Sequence, residues 1–144
     1  MKLLSYRGRS VKELRERLRR KKFPDDVVSS TIRHLQYIGL LDDISLAEAL
    51  KREAMTTKFL SQYGAKRFML ERGISKEIVD SIFSHDETED INNAKRLVEK
   101  KMRIIEALPA EKRKRRLSHL LLRKGYSFEI IESVLKNKLK GGMV

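Results

Sequence analysis

The sequence predicts an all-α protein built as an array of tandem helical repeats, and three observations lead there. The first is a recurring pattern at residues 18–32, 69–83 and 121–135: a basic helix end, a break of one or two residues, then a short apolar helix. The second is constant spacing. Lys22, Gly73 and Gly125 share a column, as do Phe23, Ile74 and Tyr126, and Pro24, Ser75 and Ser127, at offsets of 51 and 52 residues. Val27-Val28 falls on Ile78-Val79 and Ile130-Ile131, and Ile32 on Phe83 and Leu135. The third is that no segment alternates β-branched and polar residues as a half-buried strand would. Each copy is too small to bury its own apolar face and must lean on a neighbour.

The first helix begins near Ser10, a candidate N-cap, with Glu13 three residues on completing a capping box. Val11, Leu14 and Leu18 recur at helical spacing, with Arg and Lys on the other faces. Pro24 fits the first turn of the next helix, where its missing N–H costs nothing. That helix carries Asp25 and Asp26 at its positive end and Val27, Val28, Thr31, Ile32 and Leu35 as a stripe. Gly39 fits a helix stop, and Asp42 or Asp43 caps the third helix.

A helix over residues 44–58 has Ala47, Leu50 and Ala54 as a weak apolar face, and a break near Tyr63-Gly64 precedes a short helix with Phe68 and Met69. Gly73 ends it, Ser75 caps the next, and Ile78, Val79, Ile82 and Phe83 form its stripe. The acidic stretch 84–90 lacks apolar residues and reads as a linker. Ala94, Leu97, Val98, Met102 and Ile105 mark another helix, Pro109 starts one through Leu117, Leu120 and Leu121, and the last runs through Ile130, Ile131, Val134 and Leu135. The expected divisions are residues 1–43, 44–90 with the acidic linker at its end, and 91–144 with a C-terminal tail. The first repeat is shortened at its N-terminus, with Leu3 and Leu4 as the remnant of a helix.

Charge narrows the function classes. Charged residues make up 37% of the chain, against roughly 25% in ordinary globular proteins. The net charge of +13 points to an anionic partner. With no cysteine, disulfides and thiolate metal sites are ruled out. No apolar run approaches the roughly 20 residues that cross a membrane, and the first ten residues lack the core of a secretory signal. The expectation is a cytoplasmic protein.

Catalytic apparatus is thin. His34, His85 and His119 are scattered, and none stands at i, i+4 from another. His85 with Asp86, Glu87 and Glu89 has donors for a divalent cation, but a solvated acidic linker explains them better. Arg7-Gly8-Arg9-Ser10 lacks the preceding strand and the spacing of a phosphate loop. The expectation is no enzyme, no cofactor and no metal.

What remains is the basic charge. Arg7, Arg9, Arg15, Arg19 and Lys22 crowd around the first helix; Lys66 and Arg67 form a smaller cluster; Arg115, Arg116, Arg123 and Lys124 belong to a third. These residues are the candidate binding surface. The plainer reading is that they are solvated faces of amphipathic helices; the one-sign imbalance favours an anion-binding surface. Arginine suits bidentate contact with phosphate or carboxylate. The aromatic residues Phe23, Tyr126, Tyr6 and Tyr63 are expected to pack in the core or at turns rather than stack on bases.

These residues bring a family into view. Leu4-Ser5-Tyr6-Arg7-Gly8-Arg9-Ser10, then Glu13-Leu14, Leu18, Val27-Val28, Ile32, Leu35 and Gly39-Leu40-Leu41-Asp42-Asp43, resembles the first repeat of bacterial RecX regulatory proteins. Leu46-Ala47-Glu48-Ala49, Gly64-Ala65-Lys66-Arg67 and Glu71-Arg72-Gly73-Ile74 look like the second; the third repeat fits by periodicity. Lys22 stands where the family often has Gly, and Leu46 and Leu50 where aromatics are usual. The resemblance implies tandem three-helix repeats in an elongated, curved array. It also implies binding to the RecA recombinase or its filament on single-stranded DNA. The implied effect is mainly inhibitory, on ATP hydrolysis, strand exchange and coprotease activity, and so on recombinational repair and the SOS response. DNA, single- or double-stranded, would be met through the basic surface by a monomer. A basic helical protein that binds nucleic acid without RecA is the alternative.

Overall fold

Ser10 opens the first described helix as the pattern predicts. Its hydroxyl accepts the Glu13 N–H at 3.1 Å, and the Glu13 carboxylate accepts the Ser10 N–H at 3.0 Å. The structure is a computed structural model that describes residues 8–143, with side chains described through Lys136. The Leu3-Leu4 remnant and Arg7 lie outside the described residues. Within them the chain forms eight α-helices and no strand. These are α1 (Val11–Arg20), α2 (Asp25–Tyr37), α3 (Asp43–Arg52), α4 (Gln62–Glu71), α5 (Lys76–Ser81), α6 (Glu87–Ile105), α7 (Ala110–Arg123) and α8 (Phe128–Met143). A π-helical turn, Glu53–Thr57, continues α3.

The repeated break is one hydrogen-bonded motif used three times. Lys22, Gly73 and Gly125 all take positive φ, at 66°, 88° and 94°. Their N–H groups donate to Arg19, Leu70 and Leu122 carbonyls at 2.9, 3.0 and 3.0 Å. The next residues, Phe23, Ile74 and Tyr126, donate to Leu18, Met69 and Leu121 at 3.3, 3.1 and 3.1 Å. This pairing satisfies carbonyls that a helix end otherwise leaves without partners. Gly39, at φ 78°, ends α2 in the same way. One position further on is the N-cap: Ser75 and Ser127 hydroxyls accept the Ile78 and Ile130 N–H groups at 3.3 and 3.2 Å. Pro24 and Pro109 stand at N-caps, one position earlier than the first turn expected for Pro24, with ψ of 149° in both.

Three expectations need correction. The chain does not break at Tyr63-Gly64; both lie inside α4, which Ser61 caps by accepting the Gly64 N–H at 3.0 Å. Half of the acidic linker is helical, because Asp86 caps α6 through the Thr88 N–H at 2.9 Å and the carboxylates beyond it favour the positive end of the helix. The aromatic residues divide: Tyr126 is buried at 3% exposure, but Phe23 and Tyr63 are exposed at 47% and 62%. Tyr6 lies outside the described residues.

The chain divides into two compact units, neither continuous in sequence. One comprises residues 1–52 and 66–83, the other residues 53–65 and 84–144. In the first, Leu14 of α1 packs with Val28, Ile32 and Leu35 of α2 and with Leu41. In the second, Ala94, Leu97 and Val98 of α6 meet Leu117 and Leu121 of α7, Tyr126, and Ile130, Ile131, Val134 and Leu135 of α8.

Each unit contains the same joint. In the first, the Val11 N–H at the start of α1 donates to Asp43 Oδ1 at 2.9 Å, and the Gly73 turn lies against Ser10. In the second, the Gln62 N–H at the start of α4 donates to Asp90 Oδ1 at 2.9 Å, and the Gly125 turn lies against Ser61. Burial pushes both carboxyls, Asp43 and Asp90, above the ordinary aspartate range, with the single N–H bond pulling the other way. Arg72 reinforces the first joint, its Nε donating to Glu13 Oε2 at 2.9 Å and its Nη2 to the Gly8 carbonyl. In the second joint the Ser61 N–H donates to the Lys124 carbonyl at 2.9 Å, and Tyr126 donates to the Phe59 carbonyl at 2.8 Å while accepting from Asn93 at 3.0 Å.

Candidate functional site

In the first unit, α1 buries Leu14 and leaves its other faces to cations. Arg15 is half-buried, with a long contact of 3.4 Å to Ser29 Oγ. Arg19, one turn on along the same face, is exposed and stands 3.6 Å from Asp25, a pair in open solvent that contributes little. Lys22 projects from the positive-φ turn and is exposed. Arg9 is half-buried, and its charge is one of the influences on Glu13. Burial raises that carboxyl, but hydrogen bonds from Arg72 and the Ser10 N–H, with the charges of Arg72 and Arg9, hold it below the ordinary range.

The small cluster of Lys66 and Arg67 is not uniform. Lys66 is half-buried, 3.9 Å from Asp80 Oδ1 and 5.5 Å from the centroid of the Phe83 ring. Lys51 closes on the same ring at 4.8 Å while donating to the Ile82 carbonyl at 2.8 Å. Two ammonium groups thus flank Phe83, and Lys66 has a packing role beside any binding role. Arg67 is exposed.

In the second unit, Arg115, Arg116 and Arg123 on α7 are exposed, and Lys124 caps the helix half-buried. Burial lowers the Lys124 ammonium below its ordinary value, and the charges of Lys101, Lys58 and Arg123 lower it further. Lys58 after the π-turn, Lys101 on α6 and Arg123 at the end of α7 therefore stand near enough to Lys124 for their charges to act on it. Lys58 and Lys101 were not among the sequence candidates. Neither has a local signature, and only the fold brings them to residues more than twenty and sixty positions away.

Beside these residues runs an open groove of about 730 Å³ between α6 and α7. Lys101, Arg116, His119 and Arg123 supply its polar lining, and Ile105, Leu117, Leu120 and Leu122 its apolar wall. Among the described residues no group of three or more His, Asp or Glu side chains is gathered as a metal site. His34, His85 and His119 are all exposed, in separate helices and turns. No described helix is long and apolar enough to cross a membrane.

Fold and surface together define a tandem helical-repeat protein whose distinctive chemistry is cationic. Comparison with known proteins makes this particular. Residues 1–35 match the model for the RecX first three-helix domain, and residues 87–135 match that for the RecX third three-helix domain. Regulatory protein RecX of Streptomyces coelicolor is 28% identical over 141 residues, covering 97% of this chain and 75% of that protein. Its namesake from Clostridium perfringens is 30% identical over 131 residues, covering 89% of this chain and 61% of that protein. The crystal structure of RecX from Lactobacillus salivarius superposes with a TM-score of 0.73 at 25% identity, covering 93% of this chain and 88% of that one. The chain belongs to the RecX family. These relatives are named regulatory proteins, not enzymes.

Proposed function

We propose that this protein regulates the RecA recombinase, binding it or its filament on single-stranded DNA and mainly restraining ATP hydrolysis, strand exchange and coprotease activity. Through them it affects recombinational repair and the SOS response. It acts in the cytoplasm, as a monomer, without cofactor and without catalysing a reaction. Its repeats, residues 1–43, 44–90 and 91–144, contribute separate contacts, each weak and the sum firm. Family membership supports this role, and the observation that carries it is the net charge of +13 with Arg115, Arg116 and Arg123 exposed along α7. Such a surface favours a polyanion, and a nucleoprotein filament supplies phosphate and carboxylate together.

The test is recombinase ATP hydrolysis on single-stranded DNA while the protein is titrated. The expected outcome is a fall in rate at or below one molecule per filament subunit; an unchanged rate there refutes the proposal. The same surface would accept bare nucleic acid, so a second reading is a nucleic-acid-binding protein that acts without RecA. Salt-sensitive binding to DNA alone, undiminished when recombinase is omitted and without effect on hydrolysis, selects it.

A further inference from the structure

We infer that the groove between α6 and α7 is a docking site for an acidic amphipathic helix of a protein partner. The observation is a pairing of two chemistries along one channel. Lys101, Arg116 and Arg123 line it beside Ile105, Leu120 and Leu122. No carboxylate is among the described residues that line it, and the one ring there is the exposed His119 imidazole. Leu122, which lines the groove, is 53% exposed, so part of its apolar wall is open to solvent. Leu117 at its base is buried in the core of the same unit, which makes the wall a fixed surface rather than a loop.

Charge complementarity selects the occupant. Three cations around an aliphatic trough fit a helix with Asp or Glu along its flanks and Leu, Ile or Phe at i, i+3, i+4 and i+7. A volume of about 730 Å³ lies within the range of roughly 300–1,000 Å³ typical of ligand clefts and admits more than one large side chain. Nucleic acid is the poorer match. Its phosphates would find the cations, but its bases would find Ile, Leu and the single His119 ring where single-strand sites offer successive aromatic stacking faces. The groove thus reads a partner's apolar pattern as well as its charge. This holds whether or not the partner is the recombinase.

The test uses the full chain and three fluorescent probes of equal net charge. These are a Glu-rich helical peptide with Leu and Phe at i, i+3, i+4 and i+7, the same composition scrambled, and an oligothymidine. The patterned peptide is expected to bind at least tenfold more tightly than the scrambled one. That preference is expected to vanish in Leu122→Asp, an exposed position whose change leaves the fold intact by circular dichroism. Arg116→Glu with Arg123→Glu is expected to weaken the patterned peptide at least tenfold, and Arg33→Glu with Lys95→Glu, an equal charge change elsewhere, less than threefold. Equal binding of patterned and scrambled peptides overturns the inference. So does a patterned peptide indifferent to Leu122→Asp, or an oligothymidine that binds more tightly and displaces it. The inhibition of ATP hydrolysis is a separate readout, so its absence leaves this result standing.

Discussion

Gly73 lies against Ser10, 63 positions earlier, so closely that a Cβ on the glycine would stand 2.7 Å from the serine hydroxyl. Gly125 stands in the same relation to Ser61, also at 2.7 Å, with the Gly64 backbone N at 3.1 Å. The cap that starts one helix is therefore the seat for the turn that ends a helix in the next repeat. Two physical demands fall on one residue: a left-handed backbone and no side chain. Gly39 meets only the first, because nothing lies within 4 Å of its virtual Cβ. Gly39→Ala should destabilise by about 1 kcal/mol. Gly73→Ala and Gly125→Ala should each cost about 2–4 kcal/mol, since the backbone strain comes with displacement of an N-cap. Urea unfolding of the three variants measures this. Equal losses at all three positions would remove the joint from the account.

Lys22 occupies the same column with only the backbone demand. Residues 19–27 are all exposed, so its side chain can project into solvent. This is why a lysine is tolerated there at φ 66°. Lys22→Gly should raise stability by about 0.5–1 kcal/mol, the relief of a left-handed non-glycine residue less the freedom gained by the unfolded chain. A thermal melt that shows no rise, or a fall, would contradict the assignment.

How far the sequence reveals this architecture depends on the range of each interaction. The helix ends at Gly39, Gly73 and Gly125 and the caps at Ser10 and Ser75 involve neighbours within five positions, and the pattern of residue types displays them. Gly64 misleads for the same reason. Its composition signals a break, yet it is helical, and its smallness serves the Lys124 carbonyl, 2.6 Å from where a Cβ would sit. Phe23 misleads in the opposite direction. Its column partners Ile74 and Tyr126 are buried, but burial is a property of what covers a turn, and residues 19–27 all stay exposed. The surroundings of Lys124 are half legible. Arg123 and Lys124 announce themselves as a run, while the charges of Lys58 and Lys101 reach Lys124 only through tertiary packing.

Acid should loosen the first joint through Glu13. Its pKa is held below the ordinary value of 4.5, so the folded state binds its proton less readily than the unfolded chain does. The stability this confers is fully present above about pH 4.5 and is lost as pH falls through the lowered value. Asp43 works in the opposite sense: burial raises its pKa, so its protonation favours the folded state as pH drops. Glu13→Gln should therefore be less stable than the parent at pH 7 and approach it as pH falls below 4.5 through the lowered value. A constant difference across that range, measured by chemical denaturation, would exclude Glu13 as the linked group.

Arg15 and Arg19 separate a binding surface from a solvated face. Neither is tied down: one makes a long contact of 3.4 Å to a serine, the other a solvent-exposed ion pair at 3.6 Å. Converting both to Glu should alter stability by less than about 1 kcal/mol, the loss being mainly of favourable charge near the C-terminal end of α1. If both touch phosphates, affinity for single-stranded DNA or for the filament should fall about tenfold or more. The slope of log K against log salt should flatten by about 1.4, two contacts at about 0.7 each for a single strand. If they touch protein carboxylates instead, filament affinity falls while binding to bare DNA is unchanged. Unaltered affinity in both assays would return the first cluster to the status of a solvated helix face.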